Sequence, residues 1–190
     1  MQLPLFTDPA KKETLEEIYE EILQKGRLLF PNRIFIFGDG EPSSGIVFIG
    51  ESPGPPDLES GKPFRGPVGE LLDKILGSIE LDRKSCYLTN VIKFICEGEE
   101  ITHEMLKFFT PFLLREISAL SPRLIVTLGN TPTRVLLNTK QRISLLRGRF
   151  YEFYGAKLLP TYNPAYLMRD ASKKREVWED MKKIKAFLQS

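Results

Sequence analysis

Hydrophobic residues recur along this chain with two periods, and the two alternate. Ile18 and Ile22, with Leu15 and Leu23 beside them, mark the buried stripe of a first helix expected from Pro9 or Ala10 to about Lys25. Ile34 to Phe37 then reads as a short strand closed by G-D-G. Gly45 to Gly50 is a continuous apolar run, as a central strand covered on both faces would be. Pro67 to Leu76 reads as a helix with proline in its first turn and Gly77 past its end.

The alternation continues. Cys86 to Val91 is an expected strand, His103 to Leu120 a helix, Arg123 to Leu128 a second buried strand and Thr131 to Leu137 a short helix. Phe150 to Tyr154 and Lys157 to Leu159 are placed to pair as a hairpin around Gly155. Ser172 to Leu188 closes the chain as a helix with Val177, Met181, Ile184 and Leu188 on one face. Strands alternating with helices imply an α/β domain, a mostly parallel sheet with helices on both faces. At 190 residues a single domain spanning 1–190 is expected, with 42% apolar and 27% charged residues to build its core and surface.

Charge changes this picture only when divided. The net formal charge is +2, too small to advertise a polyanion ligand. From Lys140 onward, however, 12 Lys and Arg stand against 5 Asp and Glu, whereas the residues before it carry 15 against 20. A protein that touched nucleic acid would do so with one end or one face. The start M-Q-L-P-L-F-T-D-P lacks a basic region followed by an apolar core, and no run reaches the length of a membrane span, so a cytoplasmic protein without a membrane partner is expected. Two cysteines, Cys86 and Cys96, make neither a disulfide framework nor a four-thiolate metal site.

In such sheets ligands bind beyond the carboxyl ends of the strands. Four loaded segments fall there. Gly50 to Gly69, G-E-S-P-G-P-P-D-L-E-S-G-K-P-F-R-G-P-V-G, is a loop stiffened by proline and opened by glycine. It contains neither a dinucleotide fingerprint nor a P-loop. The others are T-N at Thr89 and Asn90, G-N-T-P from Gly129, and T-Y-N-P-A-Y-L-M-R from Thr161 to Arg169. Together they offer an amide, a carboxylate, an aromatic face and basic groups to one crevice.

These segments resemble, in order and spacing, the uracil-DNA glycosylase superfamily. They are most similar to its iron–sulfur family, first described in thermophilic prokaryotes. G-E-S-P-G with G-K-P-F-R-G-P-V-G-E-L-L resembles G-E-[AG]-P-G and G-x-P-F-x-G-x-A-G-x-L-L. Y-L-T-N-V-I-K resembles Y-[IV]-x-N-x-[VL]-K, and S-P-R-L-I-V-T-L-G-N, R-G and T-Y-N-P-A-Y-L-M-R follow. The resemblance implies a three-layer α/β/α sandwich around a four-stranded, mostly parallel sheet. It also implies base-flipping excision of uracil from DNA; with no lysine placed for an obligatory Schiff base, a monofunctional glycosylase that leaves an abasic site is expected, acting as a monomer. The alternatives are a glycosylase for another deaminated base, such as hypoxanthine or xanthine, and a catalytically silent DNA-binding member of the fold.

Site residues follow from the matched positions. Phe64 is the expected stacking face for a flipped base and Asn90 its edge reader, since an amide can donate to O4 and accept from N3–H of uracil. Glu51, with Asp57 as a second candidate, is expected to hold water and favour the sugar cation. Ser52 and Gly54 help shape the pocket. Leu167 or Met168 is the expected wedge into the duplex, with Arg169 beside it. Lys62, Arg65, Arg147 and Lys173, with Arg149, Lys174 and Arg175, are expected phosphate contacts.

Two departures stand out. Asn163 occupies the position of the family's final-motif histidine, so any donor there is a neutral amide. The positions of the four cluster cysteines fall, within a residue at the N-terminal pair, on Leu23, Gly26, Phe94 and Phe109, none of them a ligand type. No cluster, metal or other cofactor is therefore expected. A smaller departure is Cys96 to Glu104, C-E-G-E-E-I-T-H-E, which would repel phosphates, so either it faces away from DNA or the family's usual contact there is lost.

Overall fold

The computed structural model describes residues 12–190, so the predicted helix start at Pro9 or Ala10 lies outside the described residues. Helix α1 is Leu15–Leu29. Thr14 caps it, accepting from Glu17 N while the Glu17 carboxylate accepts from Thr14 N, a reciprocal arrangement that satisfies two free donors of the first turn. The strands are β1 (Ile46–Gly50), β2 (Tyr87–Asn90), β3 (Leu124–Leu128), β4 (Tyr151–Phe153) and β5 (Ala156–Thr161). Between and after them come α2 (Pro55–Ser60), α3 (Gly66–Gly77), α4 (His103–Leu120), α5 (Asn130–Leu137), α6 (Ile143–Leu146), α7 (Pro164–Arg169) and α8 (Lys174–Gln189).

The sheet order is β2-β1-β3-β5-β4. The first four strands run parallel, and β4 joins β5 antiparallel as the expected hairpin. The sheet thus has five strands where the family resemblance implies four. The predicted strand at Ile34 to Phe37 is an extended segment instead. Its Ile36 N donates to Lys93 O just past β2, and only Asp39, two residues after the segment, forms a bridge to β2 at Leu88.

Alternation along the strands divides the core. Val47, Ile49, Tyr87, Ile125 and Leu158 face α1 and α4, meeting Ile18, Ile22, Phe109 and Leu113. Ile46, Phe48, Leu88, Val126 and Leu159 face α3 and α8, meeting Leu72, Leu76, Val177, Met181 and Ile184. Every residue of β1, β2 and β3 is buried, as the apolar runs of β1 and β3 predict for strands covered on both faces. No helix among the described residues is long and apolar enough to cross a membrane.

The carboxyl ends of β1, β2, β3 and β5 emerge on one edge. The chain leaves β1 toward β2 on one side and later returns to place β3 on its other side. The crevice opened there is where α/β sheets bind ligands.

Candidate active site

A cleft of about 990 Å³ lies over that edge. Its floor holds Asn90 and Phe64, and Glu51, Asn163, Tyr166 and Arg142 stand along its walls. Four segments far apart in sequence therefore meet because each follows a strand of the same sheet.

Asn90 ends β2 and is 3% exposed. Its Oδ1 is buried without a hydrogen-bond partner. An orphaned buried acceptor is costly, so this atom is poised for an N–H brought into the cleft. The Phe64 ring lies beside it. A Cβ on Gly50 would overlap Asn90 Oδ1 and come within 2.7 Å of Phe64 Cζ. Only glycine at the end of β1 lets amide and ring approach this closely.

Phe64 has a φ of +55°, a conformation that costs a non-glycine residue on the order of 1 kcal/mol. Its backbone is held from both sides. Asp57 Oδ2 accepts from Phe64 N at 3.2 Å, and the Arg83 guanidinium donates to Phe64 O at 2.7 Å. Gly69 makes room for that carbonyl, which a Cβ there would overlap. Arg83 was not singled out from sequence; nothing local in R-K-S announces a partner 19 residues earlier.

Asp57 is buried and fully engaged. Besides Phe64 N, its carboxylate accepts from Gly54 N at 3.1 Å and from Arg65 N at 2.7 Å. It sits in the first turn of α2, where the Gly-Pro-Pro-Asp order supplies two helix-starting prolines and an acidic residue that reaches back to the preceding N–H. Its carboxylate thus ties three backbone N–H groups of the loop together. Gly54 lines the cleft, but its N–H is already taken by Asp57.

Glu51, by contrast, is exposed in the cleft mouth directly after β1. Its carboxylate accepts from the Thr131 hydroxyl in the first turn of α5. Asp57 also borders the cleft but is only 4% exposed, so Glu51 is the more open of the two acidic candidates. Ser52 lines the same wall.

Asn163 borders the cleft as the N-cap of α7. Its Oδ1 accepts from Ala165 N at 2.9 Å and its Nδ2 donates to Leu128 O at 3.2 Å. The Asn-Pro pair is a common helix start. One Nδ2 hydrogen is left over from this pair of bonds. His103, the only histidine, opens α4 and does not border the cleft.

The residues expected to contact DNA differ in their surroundings. Leu167 is 1% exposed and packs in the α3–α8 core, whereas Met168 is 52% exposed. Helix α7 turns one inward and the next outward, so of the two expected wedge residues only Met168 is open to a partner. Arg147 also points inward. Its guanidinium is bound by both oxygens of the buried Asp180 and by Glu176 O, which corrects its expected phosphate contact. Burial pushes the Asp180 carboxyl above the usual range, while its bonds to Thr161 and Arg147 oppose this. Lys62 and Arg65 both pair with Asp39. Lys173 borders the cleft and pairs with Glu176.

Arg134 and Arg142 border the cleft too, together with Arg169. Neither Arg134 nor Arg142 was singled out from sequence, because both lie in segments without a motif. On the other side, Glu97 and Glu99 border the cleft, which leaves the second branch of the expectation, a lost phosphate contact at this stretch. The cleft rim is therefore basic beside α5, α6 and α7 and acidic beside β2.

Three of the four positions expected for cluster ligands, Gly26, Phe94 and Phe109, gather around Phe35 in an apolar knot. The rings of Phe94 and Phe109 lie 5.5 Å apart, Phe35 packs on both, and Gly26 sits against Phe35. Leu23 lies on α1 nearby in sequence. With no thiolate, imidazole or carboxylate among these four positions, the donor set does not fit an iron–sulfur cluster. No group of three His, Cys, Asp or Glu suited to a metal occurs among the described residues. Cys96 borders the cleft, where burial pushes its thiol up to about 11, and Cys86 is buried beside Ser44 and Ser85.

The signature of the Uracil DNA glycosylase superfamily matches residues 37–182. This chain belongs to that superfamily. It is 33% identical over 192 residues to the Type-4 uracil-DNA glycosylase of Saccharolobus solfataricus, covering 94% of this chain and 88% of the relative. It is 34% identical over 185 residues to the Type-4 uracil-DNA glycosylase of Thermotoga maritima, covering 93% and 96%. The Type-4 enzyme of Archaeoglobus fulgidus is 32% identical over 185 residues, covering 90% and 92%. In this superfamily member, then, the motif order read from sequence coincides with the residues that line one cleft.

Proposed function

We propose that this protein hydrolyses the N-glycosidic bond of uracil in DNA and leaves an abasic site. The orphaned Oδ1 of Asn90, buried beside Phe64 at the bottom of the cleft, carries this reading. A flipped uracil would offer it N3–H and take the Nδ2 hydrogen at O4. Cytosine presents a bare N3 at the same place and would leave two acceptors facing each other.

Bond cleavage leaves positive charge on the sugar and negative charge on the base. Glu51 would hold the attacking water and favour the cation. The remaining Nδ2 hydrogen of Asn163 would meet charge growing on the base, as a neutral donor in place of the family's histidine. Asp57 takes no direct part, because its carboxylate is occupied by the loop it folds. Lys173 is the only lysine bordering the cleft among the described residues, and it pairs with Glu176. That favours a water nucleophile over a Schiff base, and so an intact strand after base release.

On the DNA side, Met168 is the wedge and Arg134, Arg142 and Arg169 are phosphate contacts. The test is an end-labelled oligonucleotide with one uracil, incubated with the protein in EDTA. Strand scission that appears only after alkali, and only where uracil stands, is the expected result. Binding without scission on uracil, hypoxanthine and xanthine substrates would instead favour the silent DNA-binding reading, which the helix-capping bonds of Asn163 keep in view.

A further inference from the structure

Behind the cleft floor, on the far side of β2, lies a charged pair that the proposed chemistry does not use. Lys93 and Glu116 have side chains 0% and 1% exposed and meet at 2.6 Å. Burying such a pair is often no better for stability than well-packed apolar side chains. The three hydrogens of the ammonium are all placed. One goes to Glu116 Oε2, one to Thr89 Oγ1 at 2.6 Å, and one to the backbone carbonyl of Asn90 at 2.7 Å. Glu116 Oε1 accepts in turn from Thr89 Oγ1 at 2.8 Å and from Tyr19 OH at 2.6 Å. Helices α1 and α4 are thereby tied to the last two residues of β2.

The pair sits where a positional hold is needed. Asn90 Oδ1 has no hydrogen bond of its own to orient it. Its placement rests on contacts with Gly50 and Phe64 and on the backbone that carries it. Just beyond Asn90 the chain is pinned to the end of β1, Val91 N to Gly50 O and Ile92 N to Glu51 O, both at 2.9 Å. Lys93 closes this turn from behind by returning to the Asn90 carbonyl.

We propose that Lys93 is a positioning residue for base recognition: held by Glu116, it fixes the Asn90 backbone so that the side-chain amide meets the base edge in register. This rests on the reading of Asn90 as the residue that holds uracil. Misplacement of a reacting partner by about 1 Å can cost about a hundredfold in rate, so loss of the hold should appear in the excision step.

Lys93→Met alone leaves a buried carboxylate without its cation and is expected to unfold readily. The informative variant is Lys93→Met with Glu116→Gln, which removes both charges and keeps an acceptor for Tyr19. Thermal unfolding, affinity for DNA containing one uracil, single-turnover excision and amide exchange would be measured on it. The double variant should stay folded and bind DNA as the wild type does, yet excise uracil about a hundredfold more slowly. Exchange at Val91 and Ile92 should quicken while that at Ile125 and Val126 in β3 stays slow. A folded double variant that excises at the wild-type rate, or whose Val91 and Ile92 exchange is unchanged, overturns the proposal. Should the wild type release no uracil, the functional reading fails on its own, and the exchange result still decides whether Lys93 holds this turn.

Discussion

Gly50 ends β1 with no side chain, and the amide oxygen of Asn90 stands where its Cβ would be. The ring of Phe64 presses on the same spot. Gly50→Ala is therefore expected to drive the amide and the ring apart. Excision should fall about a hundredfold through misplaced contacts, and overpacking should lower stability by about 1–3 kcal/mol. Single-turnover rates beside thermal melts check both, and an alanine variant as fast and as stable as the wild type would remove this contact from the account.

Asp57 gathers three backbone N–H groups of the first long loop. Asp57→Ala strands them, at a cost of roughly 1–3 kcal/mol for a group left unsatisfied. The expected outcome is a lower denaturant midpoint together with lost activity. A stable Asp57→Ala protein that had lost only its excision rate would return Asp57 to the chemistry.

Leu167 and Met168 are neighbours with opposite fates, one in the core and one in solvent. Leu167→Ala should lower stability by about 2–5 kcal/mol. Met168→Ala should leave stability alone and weaken excision from duplex more than from single-stranded DNA, because only a duplex has a stack to fill. Parallel melting curves and rates on the two substrates separate them.

The arginines sort in the same way. Replacing Arg134 or Arg142 by Ala should shrink the salt dependence of DNA binding by about one phosphate contact each. Arg147→Ala should instead destabilise the fold by about 3 kcal/mol, because it strands the buried Asp180. The sign with pH follows from burial, which already raises the folded Asp180 carboxyl. Without Arg147 the folded state holds that proton more tightly than the unfolded chain. The variant should therefore gain stability relative to wild type as pH falls toward about 4. Melts across pH, with a variant whose deficit does not narrow in acid, would contradict this.

Much of this architecture was legible in the chain. The runs around β1 and β3 are apolar at every position because both faces are covered, and α4 begins and ends where its periodicity says. Asn90, Phe64 and Glu51 could be named because their motifs resemble those of the family, and strand-end segments of one sheet bring them to a common edge. What was hidden depends on partners distant in sequence. Arg147 looks like one more cation in a basic stretch, and only the fold brings Asp180, 33 residues on, against it. Ile34 to Phe37 has the composition of a strand, yet only Asp39 forms a bridge. Whether Leu167 or Met168 faced inward depended on the start of α7, which Asn163 and Pro164 mark. Lys93 and Glu116 sit on different elements, and no local pattern pairs them.

The most direct test of the account is single-turnover release of free uracil from an oligonucleotide carrying one uracil, by wild type, Asn90→Ala and Glu51→Gln. The wild type should release the base. Both variants should remain folded and bind DNA while releasing it more slowly, with the loss of a transition-state contact costing about a hundredfold or more. Equal rates for all three proteins would mean that the base is neither read by Asn90 nor attacked by water held at Glu51, and would contradict the account at its centre.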